Sequence, residues 1–193
     1  NSLGGNTVSA YVQARYPETD EEWATWVYPD MKDSDYVSQE MIDGLIAAYP
    51  DEMAGVAAQN SLCYGTITDE KNSDNYANVN VGGITPEYLD YMKLEMHAGR
   101  SLTSEDNQTQ KRVCVVADTM AARYFDGKDP IGEQISVVAT DGGIYDFVIV
   151  GVYEYNQALF GKVDPTVPEK DRSTQMMIPY QTCAKLSGSD QTG

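Results

Sequence analysis

The stretch from residue 81 to residue 152 decides the fold, and it contains in order VGGITPEY (81–88), GRSL (99–102), Asp106, RVCVVAD (112–118), YFDGKDPIG (124–132) and FVIVGV (147–152). Its Val-rich runs favour buried strands. Pro86 and Asp118 indicate where two short helices begin, over 86–92 and 119–125, with Asp118 as the cap of the second. Each piece alone is a weak signal, whereas their order along the chain is specific.

Patterns on either side of this stretch complete an α+β prediction, since strands alternate with helices at both ends. Ser38 caps a predicted helix over 38–49, and Pro50 ends it. Alternation and turn residues predict the remaining elements. These are strands at 7–15, 55–67, 76–81, 111–117, 132–138, 145–153 and 174–180, a turn at 68–75, a hairpin turn at 141–143, a loop at 18–30 and a helix at 181–186.

Composition narrows the class of function. The chain has 193 residues, which is the length of one domain, and 41% of them are hydrophobic, enough for a core without disulfides or metal. Its formal net charge of -17 repels nucleic acid and anionic membrane surfaces and attracts cationic partners. The plainest interpretation of this acidity is that it keeps an exposed domain in solution.

The residue types that usually carry catalysis or bind metals are few. Cys63, Cys114 and Cys183 show no metal-ligand spacing, and a disulfide between Cys63 and Cys183 stays open. His97 is the single histidine, so a hydrolase built around it is only a third hypothesis, because no GxSxG or HExxH spacing accompanies it. We therefore expect no catalytic residue.

The sequence also lacks the motifs of calcium-binding and phosphate-binding loops. The carboxylate-rich turns at 69–74 and 164–171 do not match a calcium-binding loop, so we interpret them as solvated surface. Gly82 and Gly83 are not followed by the Lys-Ser/Thr pair of a phosphate-binding loop. We predict no bound ATP, metal or other cofactor.

The ordered series resembles the extracytoplasmic core domain of MacB-type ABC transporter permeases, the soluble module between the first two membrane helices of FtsX-like permeases. We expect Pro130 and Gly132 to form a tight structural turn, and Arg100 to pair with Asp106 or Glu105. The residues that match the family pattern are Gly99, Arg100, Asp106, Asp129, Pro130, Ile131, Gly132 and Gly151.

This resemblance implies a two-lobed fold. A porter-like α/β sandwich lobe would be formed by residues 1–102 and 160–193, and a smaller, mainly β lobe by the inserted residues 103–159. It also implies a location at the extracytoplasmic face of the bacterial membrane. No stretch here approaches the ~20 apolar residues of a membrane helix, so the anchoring helices would flank this chain.

The function implied by the resemblance is non-catalytic. Family members couple ATP hydrolysis by an ABC ATPase subunit or domain, reached through the permease membrane helices, to export or mechanical signalling. The cargo would be peptides, lipoproteins or drugs, and the full-length permease would be a dimer.

The aromatic residues Trp23, Trp26 and Tyr28 lie among acidic residues between Glu18 and Asp30. Aromatic side chains in an exposed loop are typical of contact surfaces. We predict a contact with a partner or cargo here. The same segment supports an alternative function, an extracellular sensor or binding module for cationic peptides.

Overall fold

The computed structural model describes residues 15–27, 38–50, 55–161 and 164–188. The chain forms two compact units, residues 1–54 and residues 55–193. The strand predicted at 7–15 lies, apart from Arg15, outside the described residues. Among the residues that the structure describes, no helix combines the length and apolar character needed to cross a bilayer.

The described part of the first unit contains two helices, α1 (Asp20–Trp23) and α2 (Gln39–Ala48). Ser38 caps α2 as predicted, because its hydroxyl accepts a hydrogen bond from Met41 N at 3.2 Å. The segment predicted as a loop at 18–30 instead contains the single turn of α1. Thr19 stabilises that turn by accepting a hydrogen bond from Glu22 N at 3.3 Å.

The second unit confirms the predicted α+β class. Strands and short helices alternate along its described residues. Their bounds are β1 (Gln59–Asp69), β2 (Asn72–Ile84), α3 (Glu87–Tyr91), β3 (Met96–Gly99), α4 (Ser104–Gln108), β4 (Val113–Ala117), α5 (Asp118–Tyr124), β5 (Gln134–Ala139), β6 (Ile144–Tyr153), α6 (Gln157–Phe160), β7 (Ser173–Pro179) and α7 (Tyr180–Leu186).

Six of the described strands close into a ring in the order β1-β2-β7-β4-β6-β5. The pairs β2–β7 and β4–β6 are parallel, and the other pairs around the ring are antiparallel. The short strand β3 joins the sheet at β6 alone. The strands of residues 103–159 therefore pair both with one another and with β1 and β7, in one mixed sheet.

Strand β5 closes the ring. Its residues pair with β1 through Ile67↔Val137 and with β6 through Ile135↔Phe147. The burial of β5 alternates residue by residue, as expected for a strand with one face on the core. The edge of β6 that faces away from β4 is divided between β5 and β3.

Both predicted hairpins are present. Asp141 accepts a hydrogen bond from Gly143 N at 2.9 Å in the turn between β5 and β6. The β1–β2 turn is tighter than the predicted turn at 68–75, because the strands continue to Asp69 and Asn72. Asp69 stabilises this turn by accepting a hydrogen bond from Lys71 N at 2.8 Å.

The main hydrophobic cluster of the described residues lies within the second unit and includes side chains from both faces of β7. Met176, Met177 and Ile178 are all fully buried. Helix α7 packs Cys183 directly against Gly83 of β2. The buried Tyr153 hydroxyl donates to Gln175 O at 2.7 Å, which joins β6 to β7 through a side chain.

Asp118 does not cap α5 as predicted. The helix starts at Asp118 itself, and the cap position is held by Ala117 without a side-chain hydrogen bond. The Asp118 carboxylate instead accepts hydrogen bonds from Thr119 N at 2.6 Å and Tyr155 N at 3.0 Å. It thereby fastens the segment after β6 to the start of α5.

Candidate functional site

Most residues that match the family pattern meet where β3, β6 and the turn at 129–132 come together. Gly99 pairs with Gly151 across the β3–β6 ladder. Immediately after β3, Arg100 N donates to Val150 O at 2.9 Å. We call this group of Gly99, Arg100, Asp106, Gly151 and the turn at 129–132 the motif joint.

Close backbone contact explains the two glycines of the motif joint. A Cβ atom on Gly151 would lie 2.1 Å from Arg100 O, which no side chain tolerates. A Cβ atom on Gly99, whose φ is +70°, would lie 2.4 Å from Val150 O and 2.7 Å from Ile131 Cδ1. Glycine is therefore required on both strands by space.

Hydrogen bonds within the turn at 129–132 hold its shape, and a backbone hydrogen bond joins it to β6. Asp129 accepts from Ile131 N at 3.0 Å, and Glu133 N donates to Pro130 O at 3.2 Å. Gly132 has a φ of +89° and donates from its N–H to Ile149 O at 2.8 Å. Ile131 packs against the core beside Gly99, so the turn is held from both sides.

Arg100 pairs with Asp106 in the structure, one of the two partners expected from the sequence. The guanidinium donates through Nη1 to Oδ2 at 2.6 Å and through Nη2 to Oδ1 at 3.1 Å. The Asp106 side chain is 1% exposed and that of Arg100 is 46% exposed. Glu105 pairs with Lys111 instead, at 2.7 Å on the surface.

Asp106 also completes the start of α4. The Thr103 hydroxyl accepts from Asp106 N at 3.1 Å, while the Asp106 carboxylate accepts from Thr103 N at 3.0 Å and from Thr103 Oγ1 at 2.9 Å. This reciprocal arrangement is a capping box. One buried carboxylate thus joins the end of β3 to the first turn of α4.

The electrostatics of Asp106 keep it charged. Burial alone would raise the pKa of its carboxyl, but the hydrogen bonds from Arg100 and Thr103 outweigh that effect and lower the pKa to about 2. The same ion pair raises the pKa of Arg100. The geometry positions backbone segments against one another, and the part that the motif joint plays in function stays a prediction.

The aromatic residues predicted to contact a partner are partly described. Trp23 is 52% exposed, and its ring centroid lies 5.5 Å from that of Trp26. Tyr16, which sequence reasoning missed, packs 6.4 Å from Trp23 and 5.6 Å from Trp26 and is 49% exposed. Tyr28 lies outside the described residues. We call Tyr16, Trp23 and Trp26 the aromatic cluster.

The histidine and the three cysteines were the remaining candidates for catalysis or metal binding. His97 lies exposed on β3, as is typical of a solvated histidine. Cys63, Cys114 and Cys183 are free thiols, and the latter two are buried. Burial raises the pKa of Cys183 to about 12. Within the described ranges, no group of three or more His, Cys, Asp or Glu side chains is arranged to hold a metal ion.

The sequence matches a known protein family over almost its whole length. The family model of the MacB-like periplasmic core domain matches residues 3–192. The chain belongs to this family, which comprises extracytoplasmic domains of ABC transporter permeases. The resemblance predicted from residues 81–152 is confirmed.

One curated relative and two solved structures show the extent of the similarity. The chain is 28% identical over 131 residues to the uncharacterized ABC transporter permease YknZ of Bacillus subtilis (strain 168). The aligned region covers 68% of this chain and 30% of that protein. The chain thus spans less than a third of that relative's length.

The solved structures share the fold. The extracellular domain of the noncanonic ABC-type transporter YknZ from Gram-positive bacteria matches with a TM-score of 0.57 and 22% identity, over 79% of this chain and 67% of the other. The periplasmic region of MacB from Actinobacillus actinomycetemcomitans matches with a TM-score of 0.54 and 18% identity, over 95% of this chain and 67% of the other.

Proposed function

We propose that this chain is a non-catalytic relay domain in an ABC transporter permease. ATP hydrolysis by an ABC ATPase subunit or domain would reach it through the permease membrane helices and drive export or mechanical signalling of peptides, lipoproteins or drugs. The match of the family model to residues 3–192 is the observation that carries this proposal.

The motif joint supports a relay. A domain that transmits displacement needs connections that do not yield, because flexible connections absorb the movement. At the motif joint, Gly99 and Gly151 bring two backbones into direct contact, and Asp106 ties β3 to α4 through the Arg100 guanidinium. Well-packed interiors of this kind transmit strain.

The proposal includes an arrangement for the whole permease. Membrane helices on both sides of this chain would hold it at the extracytoplasmic face, and two permeases would form a dimer. The domain would comprise a porter-like lobe of residues 1–102 and 160–193 and a smaller lobe of residues 103–159. Apolar spans of ~20 residues in the flanking coding sequence would support this anchoring, and hydrophilic flanks on both sides would contradict it.

The decisive experiment uses the full-length permease with its ATPase in proteoliposomes. We expect D106N to lower cargo movement per ATP hydrolysed, because the link between β3 and α4 loses its charge. E105Q removes the exposed ion pair with Lys111, leaves the partners of Asp106 in place and serves as the control. Equal coupling in wild type, D106N and E105Q, with folding verified by circular dichroism, would reject the relay role.

The aromatic cluster favours a second candidate function, capture of a cationic peptide. Its rings are surrounded in sequence by Glu18 and by the three acidic residues of the first turn of α1. A cation over an exposed aromatic face gains about 0.5–1 kcal/mol, and the chain's net charge of -17 would attract a basic peptide over a longer range.

A labelled lysine-rich peptide tests this candidate, with a glutamate-rich peptide of the same length as the control. At an ionic strength of ~0.15 M we expect saturable binding of the basic peptide alone. The double variant W23A/W26A should abolish binding, whereas Y64A, which removes an exposed tyrosine on β1, should not. Binding that survives W23A/W26A would exclude the aromatic cluster as the contact.

A further inference from the structure

A cavity of about 310 Å³ lies in the second unit beside α5 and the start of β7. This volume is at the lower end of the ~300–1,000 Å³ range of small-molecule sites. The side chains around it combine both charges with an apolar wall. Those that would contact a ligand include Arg123, Arg172, Tyr155 and Phe160.

Two half-buried arginines line this cavity, and each has more N–H donors than the hydrogen bonds that it makes to the described residues. Arg123 donates from Nη1 to Tyr76 O at 2.6 Å, and Arg172 donates from Nε to Val167 O at 3.0 Å. Within the described residues, neither guanidinium forms an ion pair with a carboxylate within 4.0 Å. Each guanidinium has five N–H donors, so both retain the capacity to bind an anion.

The carboxylates of the cavity are placed differently. Asp164 and Glu169 are exposed and form part of the rim. The hydrogen bonds from Thr166, and then the nearby Arg172, lower the pKa of Asp164, so it is charged at neutral pH. The half-buried Asp171 accepts a hydrogen bond from the Tyr76 hydroxyl. The half-buried charged side chains around the cavity are thus two guanidiniums and one carboxylate, and the two exposed ones are both carboxylates.

An aromatic wall completes the cavity. The rings of Tyr155 and Phe160 are stacked with centroids 5.6 Å apart and an interplanar angle of 29°. Met120 is 2% exposed and Val167 is half-buried, which adds apolar surface. Such a wall gains free energy by removing a ligand's apolar side chain from water.

We propose that this cavity binds a small zwitterion of the dipeptide class with an apolar or aromatic C-terminal side chain. The ligand carboxylate would bind Arg123 and Arg172, the side chain would lie on Tyr155 and Phe160, and the ammonium group would face the acidic rim. Arginine is suited to this task because its planar donors match a carboxylate. Ligand binding at this site is a function separate from the relay, and the experiments that test it measure binding and do not require transport.

Calorimetric titration of the isolated chain with Ala-Phe tests the proposal. The controls are Ala-Phe amide, which lacks the carboxylate, and N-acetyl-Ala-Phe, which lacks the ammonium group. We expect saturable binding of Ala-Phe and at least about tenfold weaker binding of each control. No saturable binding of Ala-Phe, or equal binding of the amide, would overturn the proposal.

Two variants locate the site. R172Q should weaken Ala-Phe binding at least about tenfold. R112Q makes the same change of charge at an exposed arginine outside the cavity and should leave binding unchanged. R172K keeps the charge but loses the planar fork of donors, so it should also weaken Ala-Phe binding. It serves as the second variant if R172Q fails to fold.

Binding by an ion alone is the remaining alternative. Titration with acetate and with inorganic phosphate should give much weaker binding than Ala-Phe, because neither anion reaches the aromatic wall. F160A should weaken Ala-Phe and leave the response to phosphate unchanged. Phosphate binding as tight as that of Ala-Phe, together with no effect of F160A, would replace the zwitterion site with a simple anion site.

Discussion

The carboxylate of Asp106 accepts hydrogen bonds from both terminal nitrogens of Arg100, at 2.6 Å and 3.1 Å, while its own side chain is 1% exposed. The ion pair joins the residue that follows β3 to the first turn of α4. Because a buried carboxylate without its partner is costly, the two residues depend on one another. Among the charged residues that the structure describes, Asp106 is the one that is fully buried.

Loss of the Asp106 side chain should destabilise the fold. We expect D106A to lower the free energy of unfolding by about 3 kcal/mol, because it removes the ion pair and the capping box of α4 together. E105A, which removes the exposed ion pair with Lys111 and leaves the partners of Asp106 in place, should cost less than about 1 kcal/mol. Urea unfolding followed by circular dichroism measures both values, and equal losses would contradict the assignment.

The contribution of Asp106 should also depend on pH. Its pKa is lowered from 3.8 to about 2 in the folded state, so its stabilising effect is present above the unfolded pKa and is lost as pH falls through the folded pKa. The stability advantage of wild type over D106N should therefore shrink by about 2 kcal/mol between about pH 5 and pH 2. Denaturant titrations of both proteins across this range measure the difference, and a constant difference would refute it.

Gly151 should tolerate no side chain. We expect G151A to destabilise the fold by more than about 2 kcal/mol, since the new Cβ would lie 2.1 Å from the carbonyl oxygen of Arg100. Gly44 in α2 has open space around its Cα, so G44A should instead stabilise the protein by about 0.5–1 kcal/mol through helix propensity. Thermal unfolding of the two variants tests the contrast, and equal effects on the melting temperature would contradict it.

Thiol accessibility gives an independent test of the core. Burial raises the pKa of Cys114, Cys183 and, less completely buried, Cys63. At about pH 8 we expect a thiol reagent to label Cys63 slowly and the other two only after unfolding. Mass spectrometry of labelled peptides identifies the sites. Rapid labelling of Cys183 in the folded protein would show that α7 does not pack on β2 as described.

Local patterns predicted many elements of this fold. Asp141-Gly142-Gly143 indicated the β5–β6 hairpin because few residues other than glycine suit such a turn. Ser38 and Pro50 bounded α2 correctly for equally local reasons. Strand β3 escaped notice because Met96–Gly99 is too short to show an alternation, and its pairing with β6 depends on distant residues. Helix α4 was also missed, although Thr103 and Asp106 have the spacing of a capping box.

Closure of the sheet could not be predicted from local patterns. The pairing of Ile67 with Val137 joins residues far apart in sequence, and nothing in either strand specifies the other. The candidate sites divide in the same way. Asp106 was foreseen as a partner of Arg100 because the two are close in sequence. The cavity was not, since it is assembled from α5, the segment after β6 and β7.

The closed ring has a consequence for how this domain fails. Strand β5 has six residues and is the member that joins β1 to β6. If β5 detaches, unpaired backbone groups on both of those neighbours become available at once. Open strand edges recruit strands from other molecules. Partial unfolding at this strand would therefore favour intermolecular strand exchange, which makes β5 the natural place to look for the origin of aggregation.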